Sequence, residues 1–378
     1  MHAPLPAPRA RGAVRRGALP LLALALAACS ANPGSGGPQA GQARAAATPA
    51  AAVTPPPTVP ASGGPSGEPV TIAFGGDVHF MGSSGVRLAN DPATAVGPMA
   101  TVLRAADLSI VNLETAITTR GTPQVKTYRF RAPASAFTAL RAAGIDIVTQ
   151  ANNHGMDFGL VGLRDSLDAA HAARFPVVGI GLDEAAAYAP HRVTVRGQRI
   201  AVLGATDVLD DNLIASWTAG PDFPGLATAK RVDRLVSAVR AARSDSDTVI
   251  VYLHYGSELH ACPTERQRTL VRRLVEAGAD ILVGSHAHVL LGAGYYGNAY
   301  VDYGLGNFVF YVERQGPTRE TGVLTLTVRG RAVTGSRWDP ATIEGGAARP
   351  LTGAAADQAV RRWSALRSCT GLAPRPAG

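Results

Sequence analysis

Five times along this chain a short aliphatic run stops on a cluster of carboxylate, amide or imidazole side chains. Residues 70–74 run into Gly75-Gly76-Asp77-Val78-His79. Residues 108–113 carry Asn112 and end at Glu114. Residues 145–149 are followed by Asn152-Asn153-His154 and Asp157. Residues 248–253 lead into His254, with Glu258 just beyond. Residues 281–284 precede Ser285-His286-Ala287-His288. Runs this short and rich in Val and Ile read as buried strands. Helix-like segments separate them at 98–106, 134–143, 160–173, 228–243 and 265–277, the last with Thr264 as its N-cap. A hairpin is expected across Gly197, and β material without intervening helices follows from residue 295 to 338. Alternating strands and helices followed by mostly strands predict an α/β fold, with mixed sheet covered by helices. In open α/β sheets ligands gather at the carboxyl ends of strands. The five clusters are therefore expected to meet on one rim.

Each cluster alone is weak, because a lone Asp or His after a strand usually serves as a cap or a surface residue. Five at successive strand ends are harder to explain that way. Carboxylate, amide and imidazole ligands together suit borderline ions such as Zn, Mn or Fe. The His286-Ala287-His288 pair, read as extended chain, places both imidazoles on one side. Residues 128–131 alternate like a strand. Arg129 and Arg131 on one face are available to an anionic substrate, or simply form a solvated face.

The first 28 residues pair a basic start with an apolar run too short to span a bilayer, which reads as a secretory signal. The run ends Leu26-Ala27-Ala28-Cys29-Ser30 and resembles a bacterial lipobox. The resemblance implies lipidation of Cys29 and an extracytoplasmic protein anchored to the membrane. Residues 29–68, rich in Ala, Pro, Gly, Ser and Thr, lack apolar periodicity and read as a disordered tether. The net charge of +8 is weak support for a nucleic-acid partner. Arg9, Arg11, Arg15 and Arg16 lie in the leader, and no basic stripe interleaves with aromatics. Outside the cytosol Cys262 and Cys369 could pair, although sequence cannot show their proximity. The globular domain is expected over residues 69–345, with a helix and tail at 346–378.

The segments GGDVHFMG, ADLSIVNLETAIT, KTYRFRAP, AAGIDIVTQANNHGMDFG, VIVYLHYGSE, AGADILVGSHAHV and YGLGNFVF appear here in order. In that series the chain resembles the CapA capsule-synthesis (poly-γ-glutamate synthesis) family, itself similar to calcineurin-type metallophosphoesterases. The resemblance covers roughly residues 70–328. It implies a four-layer α/β/β/α sandwich with mixed sheets and two divalent metal ions (Mn, Zn or Fe). Asp77, His79 and His288 would hold the first ion, and Asn153, His254 and His286 the second, with Glu114 bridging. His154 would protonate the leaving group, while Asp157 and Glu258 would orient ligands. The chain departs from the phosphoesterase pattern where Asn112-Leu113-Glu114 replaces a GDxxD segment. Many relatives have an apolar residue at the position of His79. The resemblance implies a role in making or exporting an anionic envelope polymer. That role is either hydrolysis of the polymer or of a phosphoester, or non-catalytic assembly beside a membrane polymer synthase.

Overall fold

The computed structural model describes residues 68–312 and 315–377. The expected leader, Cys29 and all but the last residue of the expected tether lie outside the described residues. No helix among the described residues is long and apolar enough to cross a membrane.

Two mixed sheets form the frame. In the first, the strands Val70–Val78, Leu108–Leu113, Ile147–Thr149 and Val177–Val178 run parallel in that order. Glu320–Arg329 joins the other side of Val70–Val78 antiparallel, and Ala332–Glu344 and Ala347–Pro350 continue outward. In the second, Gln198–Thr206, Thr248–His254, Ile281–Ser285 and Ala299–Asp302 run parallel. The antiparallel strands His191–Val195 and Ala293–Tyr296 close its edges. The parallel centres are buried on both faces and so read as continuous apolar runs in the sequence.

Period-two alternation explains the layers. Ile72, Phe74, Ile110, Ile250, Tyr252 and Val283 belong to one core between the sheets. Their neighbours Ala73 and Val111 pack with Phe137 and Leu140 of the helix Ser135–Ala142. Val249, Val251 and Leu253 pack with helices Val232–Arg243 and Glu265–Glu276 through Leu235, Val239, Leu270 and Leu274. The result is a four-layer α/β/β/α sandwich. Thr264 caps its helix in a capping box with Gln267, which satisfies two otherwise orphaned N–H groups.

A repeated device holds the amino ends of the central strands. Asp107, Asp146, Asp247 and Asp280 each stand immediately before a strand. Each carboxylate accepts a backbone N–H from the neighbouring strand: Thr71 at 2.9 Å, Ser109 at 2.8 Å, Arg199 at 2.8 Å and Val249 at 2.9 Å. Asp107 and Asp247 also pair with Arg196 and Arg199, while Asp280 sits between Arg243 and Arg331.

Three expectations are corrected. Residues 128–131 do not form a strand; only Arg131–Ala132 does, beside Ala116–Ile117. The helix Gly82–Asn90 and the strand Ala347–Pro350 were not anticipated. The first strand continues to Val78, so Gly75-Gly76-Asp77 lies within it. Gly76 allows this, because a Cβ there would sit 1.9 Å from the carbonyl oxygen of Gly306. The approach lets Asp77 N–H donate to that oxygen at 2.9 Å. Beyond the sheets, Cys262 and Cys369 are joined in a disulfide that ties the tail to the loop before helix Glu265–Glu276.

Candidate metal centre

The parallel strands of both sheets end at the same rim, and the polar clusters meet there. Asp77, Glu114 and His254 are fully buried, and His286 nearly so. Three groupings bring ligand atoms within 4.8 Å of one another: Glu114 with His254 and His286; Asp77 with Glu114 and His288; and Glu258 with His286 and His288. Individual contacts link them. His254 Nε2 lies 3.4 Å from Glu114 Oε1, and His288 Nδ1 lies 3.5 Å from Asp77 Oδ2. Asn153 Oδ1 is 2.8 Å from His254 Nε2.

A buried amide network fixes these groups. Asn112 donates to Asp77 Oδ1 at 2.7 Å and lies 3.2 Å from His254 Nδ1. Asn152 donates to Asn112 Oδ1 and to the Leu113 carbonyl, and its own Oδ1 accepts the His154 N–H. Ser285 Oγ lies 3.0 Å from His254 Nδ1, and Asn307 Oδ1 lies 2.8 Å from His288 Nδ1. Sequence reasoning missed Asn307 and Lys126. Asn307 follows Gly306, the close-approach partner of the first strand, which was its available signal.

The His286–His288 pair converges differently from expectation. The strand ends at Ser285, and both histidines adopt left-handed backbone, φ 91° and 57°. A tight turn, rather than strand alternation, sets their rings 6.0 Å apart. With Leu259 (φ 61°), they are three of the five described non-glycine residues at positive φ. Such strain costs roughly 1–3 kcal/mol each and concentrates at functional sites.

The remaining predicted residues divide. His79 is not in the three groupings. Met81 N–H donates to its Nδ1 at 3.1 Å, so the neutral ring carries its proton at Nε2. The ring is enclosed by Phe130, Phe310 and Tyr311. Glu258, expected to orient ligands, is exposed, with a carboxylate oxygen within 4.8 Å of ring nitrogens of His286 and His288. Asp157 holds His154, accepting from Nδ1 at 2.6 Å and from the Phe130 N–H at 2.5 Å, with Lys126 Nζ 2.9 Å away. Arg129 and Arg131 do not reach the site. Arg129 donates to the Lys126 carbonyl, and Arg131 stacks over Phe158.

The electrostatics are those of charges buried without balance. Burial, and then neighbouring Asp77, push the Glu114 carboxyl well above its usual range. Burial also raises Asp77. Burial lowers His254 far below the ordinary imidazole value, and His286 to about 3, with neighbouring imidazoles adding to the effect. His154 is lowered to about 4 by burial, against the opposing pull of Asp157. Both Glu114 oxygens and His286 Nδ1 are buried without a hydrogen-bond partner among the described residues. Buried polar groups are rarely left so. Orphaned carboxylate oxygens facing neutral imidazoles fit a divalent cation, which takes ionised carboxylates and unprotonated imidazoles.

Comparison with known proteins places the sequence in a family. A family model described as "Bacterial capsule synthesis protein PGA_cap" matches residues 71–312. The "PGA biosynthesis protein CapA" of Bacillus subtilis is 35% identical over 173 residues, 45% of this chain and 44% of that protein. The "Capsule biosynthesis protein CapA" of Bacillus anthracis is 32% identical over 222 residues, 57% of this chain and 52% of that protein. The match thus spans about half the length of these relatives. A solved phosphatase from Mycoplasma pneumoniae superposes with a TM-score of 0.45 at 15% identity, over 73% of this chain and 94% of that one. That likeness is too distant to bear on chemistry.

Proposed function

We propose, from the premise that this chain belongs to the bacterial capsule synthesis protein family PGA_cap, that it is a metal-dependent hydrolase acting on an anionic envelope polymer, such as poly-γ-glutamate, or on a phosphoester intermediate of one. The observation that carries this reading is Glu114, fully buried with both carboxylate oxygens unpartnered amid three histidines and Asp77. Asp77, Glu114 and His288 would hold one ion, and Asn153, His254 and His286 a second, with Glu114 shared and Glu258 closing the outer side. Two divalent ions, when bound, supply an activated water and a clamp on the oxygens of the group being cleaved. The chain's own residues do the rest. Asp157 accepts the His154 Nδ1–H and stabilises the doubly protonated ring, from which Nε2–H would pass a proton to the leaving group. Lys126 sets Asp157 from its other oxygen. Asn112 and Asn152 lock Asp77 and the His154 backbone, so the rim needs little reorganisation.

In this reading residues 1–28 are a leader, Cys29 carries the lipid, and residues 30–68 tether the domain outside the cytoplasmic membrane. A fatty-acid analogue incorporated by the wild type and not by Cys29→Ala is the expected result. A non-catalytic polymer-binding role is favoured by Glu114 standing where phosphoesterases carry GDxxD. Protein stripped with chelator and reloaded with Mn or Zn separates the two when assayed on phosphodiesters and γ-glutamyl oligomers. Metal-dependent turnover is expected. Metal uptake without turnover on either class would leave the binding role.

A further inference from the structure

Glu258 differs from the other carboxylates of the rim in how it is held. Asp77 and Glu114 are fully buried at strand ends. Glu258 lies in the connection between strand Thr248–His254 and helix Glu265–Glu276, where residues 258–262 are all exposed. Beside it, Leu259 is 65% exposed in a left-handed conformation. The Leu259 N–H donates to the Ala287 carbonyl at 2.8 Å, which ties the loop to the turn carrying His286 and His288. Beyond that bond, residues 260–262 make no backbone hydrogen bond to another segment among the described residues. An exposed loop with one such tie, next to a strained residue, opens at little cost unless something else holds it.

The disulfide between Cys262 and Cys369 is that second hold, and its far end is fixed independently. Arg268 donates to the carbonyls of Cys369 at 2.9 Å and Thr370 at 2.6 Å, and also to that of Pro263 at 3.1 Å. Ala373 exchanges backbone hydrogen bonds of 2.8 and 2.9 Å with Tyr295 in the second sheet. Trp363 stacks on Trp338 of the first sheet with centroids 4.9 Å apart. The tail is therefore attached to both sheets without the disulfide, whereas the exposed loop is not. The bond constrains the loop more than the tail.

We propose that the Cys262–Cys369 disulfide is a positioning element of the metal centre. By tethering the loop to the anchored tail, it holds the Glu258 carboxylate against His286 and His288, and the affinity for metal depends on it. The proposal rests on the metal-dependent reading above and goes beyond it by naming what sets the exposed member of the ligand set.

The test titrates chelator-stripped, full-length protein calorimetrically with Mn alone. Wild type is compared with Cys262→Ser/Cys369→Ser, with Glu258→Gln, and with all three substitutions together. Wild type that has been reduced and alkylated with iodoacetamide, with the reagents then removed, gives a second disulfide-free form. Removing the disulfide is expected to weaken Mn binding about tenfold, the scale of losing a support of metal ligands. Glu258→Gln is expected to do the same. In the Glu258→Gln background, removing the disulfide is expected to change affinity by less than about twofold, because both changes act through one carboxylate. A general loss of stability would instead add in full to the Glu258→Gln loss, and that result overturns the proposal. So does unchanged affinity in the disulfide-free forms. Failure of both disulfide-free forms to fold overturns it too, since the bond would then support the whole domain. Wild type that takes up no Mn removes the metal-dependent reading and this proposal together.

Discussion

The central strands carry carboxylates at both ends, and the two ends partner them differently. At the amino ends, Asp107, Asp146, Asp247 and Asp280 each accept a neighbouring strand's N–H, and three of them pair with arginine. Against the burial that would raise it, hydrogen bonds from Thr71 and the charge of Arg196 bring Asp107 below its usual range, and Arg199 does the same for Asp247, whereas burial leaves Asp146 and Asp280 raised. At the carboxyl ends, Asp77 and Glu114 are fully buried without arginine or lysine in hydrogen-bond contact among the described residues, and both titrate upward. The same residue type thus staples the sheet at one end and stores unbalanced charge at the other. Groups that function by meeting a ligand are kept incompletely satisfied until it arrives. Paired groups at the far end hold the frame that aims them.

This contrast predicts opposite outcomes for similar substitutions. The largest effect is expected at the rim. Glu114→Gln should lower metal-dependent turnover on the order of a thousandfold, because the shared carboxylate is lost. The same change should leave the metal-free protein equal to or more stable than wild type in urea unfolding, since it deletes an unpaired buried charge. A destabilised metal-free Glu114→Gln would break the comparison. His154→Ala should cost on the order of a hundredfold in turnover with metal content unchanged by elemental analysis. At the other end, Asp280→Ala should destabilise by about 2–3 kcal/mol. It strands Arg243, Arg331 and the Val249 N–H, and the partial exposure of the arginines keeps the cost below that of a fully buried pair. Metal uptake by that variant should match wild type.

The smallest expected effect lies at Asp302, which ends a strand of the second sheet at the rim side. Its Oδ1 accepts the Gly304 N–H at 2.8 Å, its Oδ2 has no partner among the described residues, and burial raises it to about 7. The folded state therefore holds this proton more tightly than the unfolded chain. The stabilisation is fully present below the unfolded value near 4 and is lost as pH rises through about 7. Relative to Asp302→Asn, wild type should lose about 1 kcal/mol between pH 6 and pH 8. Paired unfolding curves at the two pH values check it. A variant with the same pH dependence as wild type would show that Asp302 is partnered in solution.

Much of the rim was legible in the sequence because strand ends and ligand-type residues are both local signals. Asp77, Glu114, Asn153, His254, His286 and His288 follow apolar runs and arrive where the sheet directs them. The distinction between Asp280 and Asp77 was not legible, because each is an Asp beside a strand and only the partners differ. Those partners, Arg243 and Arg331 in one case and His288 in the other, come from distant segments. The turn at His286 and His288 was misread as extended because backbone handedness leaves no signal in an S-H-A-H string. Residues 128–131 alternate well enough to suggest a strand, but only Arg131 of them pairs, in the two-residue strand Arg131–Ala132 beside Ala116–Ile117. The rings around His79 were invisible for a related reason: Phe130 and Phe310 meet across the fold.

The most direct test of the central claim is a metal titration of chelator-stripped protein followed by calorimetric unfolding. The orphaned rim predicts uptake of Mn or Zn and a rise in unfolding free energy of about 2.7 kcal/mol at a hundredfold excess over Kd. It predicts that Glu114→Gln loses most of that rise. Wild-type protein that takes up neither ion and unfolds at the same temperature with and without them would contradict it.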